Sequence, residues 1–253
     1  MSAILTIDPT LVASLAPTGV LRTVINLGNP ALARVRPGPE QQVAGVSIDI
    51  AQDLAQRLGV EARLMVVDNA RQAVEAVGSL EADLGFFTLD SCQDQPIATS
   101  APYLLIEGCY LVRQESPIRS NEDVDQAHHK VVVSQGSAYE QFLGKSLEYA
   151  QLVRASTSLD AIARMLDSGA DAVVGIRQTS WNDSPHKDRL RQLDGCFMVL
   201  QQVLGISEEV GADAARFLAA YTEYLKQSGF IQARLDEHGI AGATVAPLRP
   251  PED

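Results

Sequence analysis

Short β-branched runs alternate with helical patterns through most of this chain, which restricts it to α/β architectures built from βα units around largely parallel sheets. Leu21 to Leu27 reads as a first strand, and Ser47 to Leu58 carries apolar residues at 48, 51, 54, 55 and 58, the spacing of an amphipathic helix ended by Gly59. Strand Ala62 to Val67, helix Asn69 to Leu80 and strand Asp83 to Phe87 complete a first βαβαβ series. A second series follows: helix Ser120 to Gln126, strand Lys130 to Ser134, helix Ser137 to Tyr149, strand Gln151 to Arg154, helix Ser158 to Ser168 and strand Asp171 to Val174.

Two apolar stretches, Tyr103 to Arg113 and Cys196 to Ile206, are long enough to cross between the series and back. The expected division is an N-terminal extension over 1–20 with a short helix capped by Asp8, a first lobe of 21–108 and 203–245, a second of 109–202, and a flexible Pro-rich tail over 246–253. Two βα lobes joined by two crossover strands can hinge around a ligand, and a cleft between lobes is where binding is expected.

The 253 residues can bury a substantial core, and a net charge of -12 opposes nucleic acid and anionic lipid, so neither is expected as a partner. No apolar run approaches the roughly 20 residues that span a bilayer. The first residues show no basic and apolar leader, so the chain as written is expected in the cytoplasm, and in the periplasm if a leader has been removed. Cys92, Cys109 and Cys196 lack metal-ligand spacing, and no cofactor is implied.

Three motifs in order carry a family resemblance: Gly45-Val-Ser-Ile-Asp49 opening a helix, Leu80-Glu-Ala-Asp-Leu84 leading into a strand, and Ser100-Ala-Pro-Tyr103 before the first crossover. Over about residues 20 to 240 the chain resembles the family 3 extracellular solute-binding proteins of ABC importers. The resemblance implies the two-lobed type II periplasmic-binding fold, a small polar ligand such as an amino-acid derivative, no catalysis, and ABC transporter membrane subunits as partners.

Open α/β sheets bind ligands at the carboxyl ends of their strands, so the loops there supply the candidates. In the first lobe these are Asn26 and Asn29, then Phe87, Thr88 and Asp90 after the strand; the amides also suit loop capping, and Phe87 also suits the core. In the second lobe Gly136, Ser137, Ala138 and Tyr139 join a strand to a helix, where free N–H groups can hold an anion and Tyr139 can meet the ligand.

The family's carboxylate-clamping arginine aligns with Gln93, and its ammonium-binding aspartate with Ile176. Either the ligand is not a standard α-amino acid, or the charges are rebuilt, with Arg177 as the cation and Asp90 as the anion. Two alternatives share this fold: a cyclohexadienyl or arogenate dehydratase, for which Asp90 or Glu107 would be the acid, and a metabolite sensor. His128, His129, His186 and His238 read as solvated residues outside the candidate loops.

Overall fold

The computed structural model describes residues 5–29, 31–36, 42–177, 186–240 and 242–249, and of 158 and 159 the backbone alone. The chain divides into two compact units, one of Met1–Leu105, Gln201–Ile240 and Thr244–Asp253, the other of Ile106–Leu200 and Ala241–Ala243.

The first unit opens with α1 (Pro9–Leu15), whose Leu11 N–H donates to Asp8 Oδ1 at 2.8 Å while Pro9 occupies a position that needs no donor. Strand β1 (Val20–Asn26) leads to a small antiparallel pair, β2 (Arg34–Val35) and β3 (Val43–Ala44). Helix α2 (Val46–Leu58) then buries Ile48, Ala51, Leu54, Ala55 and Leu58, the stripe its spacing predicts, together with Ile50, and stops where Gly59 turns left-handed at φ 70°. Strand β4 (Glu61–Val67) runs parallel to β1, with Thr23 opposite Leu64. Helix α3 (Ala70–Gly78), capped by Asn69, covers the sheet, and β5 (Gly85–Thr88) follows, its approach joined to β1 where Val24 N–H donates to Leu84 O. A 3-10 turn over Leu89–Cys92 and β6 (Ile97–Thr99) bring the chain to β7 (Leu104–Arg113).

In the second unit, β8 (Lys130–Ser134), α4 (Ala138–Ser146), β9 (Gln151–Ala155), α5 (Ser158–Ser168) and β10 (Ala172–Ile176) repeat the alternation. Strand β10 is parallel to β8, β8 to β9, and β10 is antiparallel to β7 with Cys109 opposite Gly175. Strand β11 (Leu190–Gln192) flanks β7 on its other side. Apolar clusters cover both faces of this sheet, one around Cys109, Leu111 and Met165, the other around Tyr110, Val131 and Leu143. Strand β12 (Met198–Ser207) returns to the first unit and pairs antiparallel with β5. Helices α6 (Ala212–Gln227) and α7 (Phe230–Glu237) and strand β13 (Ala243–Val245) finish the chain. Among the described residues no helix is long and apolar enough to cross a membrane.

Three expectations need correction. The helix expected at 120–126 is only a 3-10 turn, Glu122–Val124, because its acids bind backbone instead. Asp123 accepts from the amides of Arg119 and Ser120, which hold its carboxyl below the usual range, and Asp125 accepts from Glu148, Tyr149 and Ala150. The tail is pinned rather than frayed through Arg249: Ala246 N–H donates to Tyr103 O, Lys226 Nζ to Pro247 O and Arg249 N–H to Glu223 Oε2, while 250–253 lie outside the described residues. His238 is buried, its Nε2 2.6 Å from Asp49 Oδ2, and not solvated.

Candidate functional site

In the first unit, β1 delivers Asn26 to a tight loop in which its Oδ1 accepts from Gly28 N–H at 2.8 Å. A Cβ at Gly28 would fall 2.8 Å from Asp68 O, so only glycine fits there. Asn29 Oδ1 accepts from Ala31 N–H at 3.3 Å. Both amide oxygens thus shape the loop, while neither Nδ2 finds an acceptor among the described residues.

At the end of β5, Thr88 is half-buried and its carbonyl accepts from Ser91 Oγ at 2.7 Å, which folds the 3-10 turn that carries Asp90 into solvent. Gln93 is exposed just beyond it. Phe87 points the other way: it is 2% exposed in the core with Val24, Val77 and Val203, and its ring fills the space beside Gly85 and Gly205. Its role is therefore to seat β5 rather than to meet a solute. Opposite Thr88 on β12, and on the same face of that ladder, is Gln202, 1% exposed with no partner for Nε2 among the described residues. A buried amide donor left unpaired is costly, so its place beside Thr88 makes it a further candidate contact. Sequence reading missed it, although one signal was present: a glutamine pair interrupts an apolar crossover.

In the second unit Gly136, at φ 74°, turns the chain from β8 into α4. Ser137 caps that helix, its Oγ accepting from Glu140 N–H at 3.2 Å and donating to Ser134 O at 2.7 Å. The Gly136 amide, expected to be free for a ligand anion, donates instead to Glu140 Oε2 at 2.6 Å. Burial raises the Glu140 carboxyl, but Gly136 and then Arg154 outweigh it and hold the group below the usual range. The sequence supplies its own anion in a capping box, which leaves the amides of Ala138 and Tyr139 as the first-turn donors.

Tyr139 also departs from expectation. Its ring packs 5.8 Å from Phe197 and close over Gly108, so the ring serves the core, while its hydroxyl is buried with no partner among the described residues. Arg177 follows β10 and is held to β7: its N–H donates to Glu107 O at 2.9 Å and its Nη1 to Glu107 Oε2 at 2.8 Å. Both side chains stay about one-third exposed. The rebuilt cation therefore already has a counter-ion. A groove of the first unit, along Met65, Gln72 and Pro96, shares no residue with these loops.

Residues 29–232 match the model of the bacterial extracellular solute-binding proteins, family 3. The chain belongs to that family. Among solved structures it is similar to a mutant of ArgBP from T. maritima, at 21% identity and TM-score 0.73 over 91% of this chain and 100% of the other. It is likewise similar to AbpA from Streptococcus pneumoniae, an amino acid ABC transporter substrate-binding protein bound to L-arginine, at 20% identity and TM-score 0.74 over 89% and 96%. These likenesses establish the type II periplasmic-binding fold. Among curated proteins, the virulence sensor protein BvgS of Bordetella bronchiseptica is 24% identical over 136 residues, 53% of this chain. The chain spans about a tenth, 11%, of that relative's length.

Gln93 is exposed, Ile176 is buried at the end of β10, and no Arg or Lys occurs between Arg71 and Arg113. What the loops of the first unit present is amide, hydroxyl and exposed carboxylate, Asp90 after β5 and Asp68 after β4.

Proposed function

We propose that this family 3 protein binds one small polar solute that carries a cationic group and lacks the free α-carboxylate of an ordinary amino acid. In the first unit Asn26, Asn29, Thr88, Asp90 and Gln202 are its contacts. The observation that carries this reading is the exposed Asp90 carboxylate, unpaired among the described residues, set against an Arg177 already neutralised by Glu107. A ligand carboxylate held without its own cation would lose on the order of 2–5 kcal/mol, roughly 30-fold to several-thousand-fold in affinity. The arginine bound by AbpA has a cationic side chain of the kind Asp90 would receive.

Binding without chemistry follows from the same side chains. His238 is committed to Asp49, His129 Nδ1 lies 3.1 Å from Val124 O, and Glu107 is tied to Arg177, so of the two acids considered for catalysis only Asp90 is without a partner among the described residues. The partners are then the membrane subunits of an ABC importer. The likeness to BvgS favours one other reading, in which the same binding event is reported to a signalling partner.

Thermal shift tests the ligand class. Amines and guanidines without a carboxylate, at about 100 times Kd, should raise Tm by roughly 5–10 °C. Asp90→Asn should weaken that binding at least about 30-fold. A neutral zwitterionic amino acid that shifts the wild type and Asp90→Asn equally would overturn the reading.

A further inference from the structure

We propose that Cys109 and Cys196 form a dithiol that closes to a disulfide across the second unit. All three cysteines are present as free thiols, but their surroundings differ. Leu193 N–H donates to Tyr110 O at 2.9 Å and Phe197 N–H to Gly108 O at 3.0 Å, so Asp194, Gly195 and Cys196 bulge opposite a single β7 residue, Cys109. Gly195, at φ 76°, makes the turn.

The Phe197 ring stacks on Tyr110, 4.5 Å between centroids, and covers Gly108, which anchors the end of the bulge on β7. Cys109, between Gly108 and Tyr110, lies on the opposite face with Leu111 and Leu190. The two thiols sense each other electrostatically. The two backbone bonds that flank the bulge hold Cys196 beside Cys109 on adjoining segments, and a disulfide spans roughly 4.4–6.8 Å between Cα atoms. Cys92, by contrast, is buried in the other unit among Ala76, Val77 and Ile97.

The oxidant is a small-molecule disulfide such as oxidised glutathione. The partly exposed Cys196 attacks it as thiolate, one glutathione sulfur bonds to Cys196, and the other leaves as thiolate. The Cys109 thiolate then attacks the Cys196 sulfur and expels the second glutathione. Two protein thiols give up two protons and two electrons, and one glutathione disulfide becomes two thiols. Burial pushes the Cys109 thiol up to about 12, so the second step should quicken as pH rises.

The folded full chain should be incubated with oxidised glutathione at mildly alkaline pH, unfolded in acid, alkylated and mapped by mass spectrometry. The expected result is a bridged Cys109–Cys196 peptide with only Cys92 alkylated, so that the thiol count falls from three to one. Cys92→Ser should still bridge; Cys196→Ser should keep Cys109 as a thiol. A stable glutathione adduct on Cys196, three alkylated cysteines, or a bridge that forms only in the unfolded chain would each overturn the proposal.

Discussion

Gly45→Ala should cost about 3–5 kcal/mol of stability, while Gly59→Ala at the other end of the same helix should cost only about 1 kcal/mol. Gly45 sits at φ 147° and ψ 174°, a region that side chains exclude. Its Cβ would fall 2.2 Å from Leu32 O and 2.9 Å from Ala33 Cα, both main-chain atoms that cannot rotate away. Leu32 O also accepts from Ser47 N–H at 3.2 Å, so any shift that admits the methyl group disturbs the first turn of α2. That helix carries Val46, Ile48, Ile50 and Leu54 into the core, and the strain is transmitted to their packing. Gly59 has a positive φ but open space around its Cβ position, which confines its penalty to the backbone term. Equilibrium urea unfolding of the two variants measures the contrast; equal costs would show that the contact with Leu32 is not what requires glycine.

Asp83→Ala should destabilise the first unit by about 3 kcal/mol, the lower end of what breaking a buried ion pair costs because Arg22 keeps some contact with solvent. Asp83 is 6% exposed and Oδ2 accepts from both the Arg22 amide, at 2.8 Å, and Arg22 Nε, at 3.0 Å, while Oδ1 takes Nη2. The Asp83 bond is also what raises the Arg22 guanidinium above its ordinary value. Alanine removes both acceptor oxygens with the three bonds they take and strands a backbone donor of β1 beside the point where β5 approaches. Asp83→Asn retains one acceptor oxygen and should recover about 1 kcal/mol of the loss. If both variants unfold at the wild-type urea midpoint, the carboxylate does not join these two strands.

These two residues also show what the sequence could reveal. The motifs that carry the family resemblance contain Gly45, Asp49 and Asp83, and each serves the scaffold: Gly45 admits a main-chain crossing, Asp49 holds His238, and Asp83 holds Arg22. Periodicity placed the long elements closely, α2 and α5 among them, because each buries one regular stripe. Strands β2, β3, β6, β11 and β13 went unseen, since two or three residues carry no period.

At the site, the loops could be read but the partners within them could not. Glu140 occupying the Gly136 amide is a local pattern, serine followed three residues later by glutamate, that could have been recognised. The Arg177–Glu107 pair joins residues 70 apart, and nothing local announces it. The direction of the Tyr139 ring likewise depends on Gly108 and Phe197, which only the fold brings near.

Native mass spectrometry of the folded chain titrated with a carboxylate-free amine or guanidine tests the central claim directly. The binding account predicts one solute per chain, lost on Asp90→Asn. A chain that stays ligand-free at millimolar solute, or that takes up the same amount with Asp90 replaced, would contradict it.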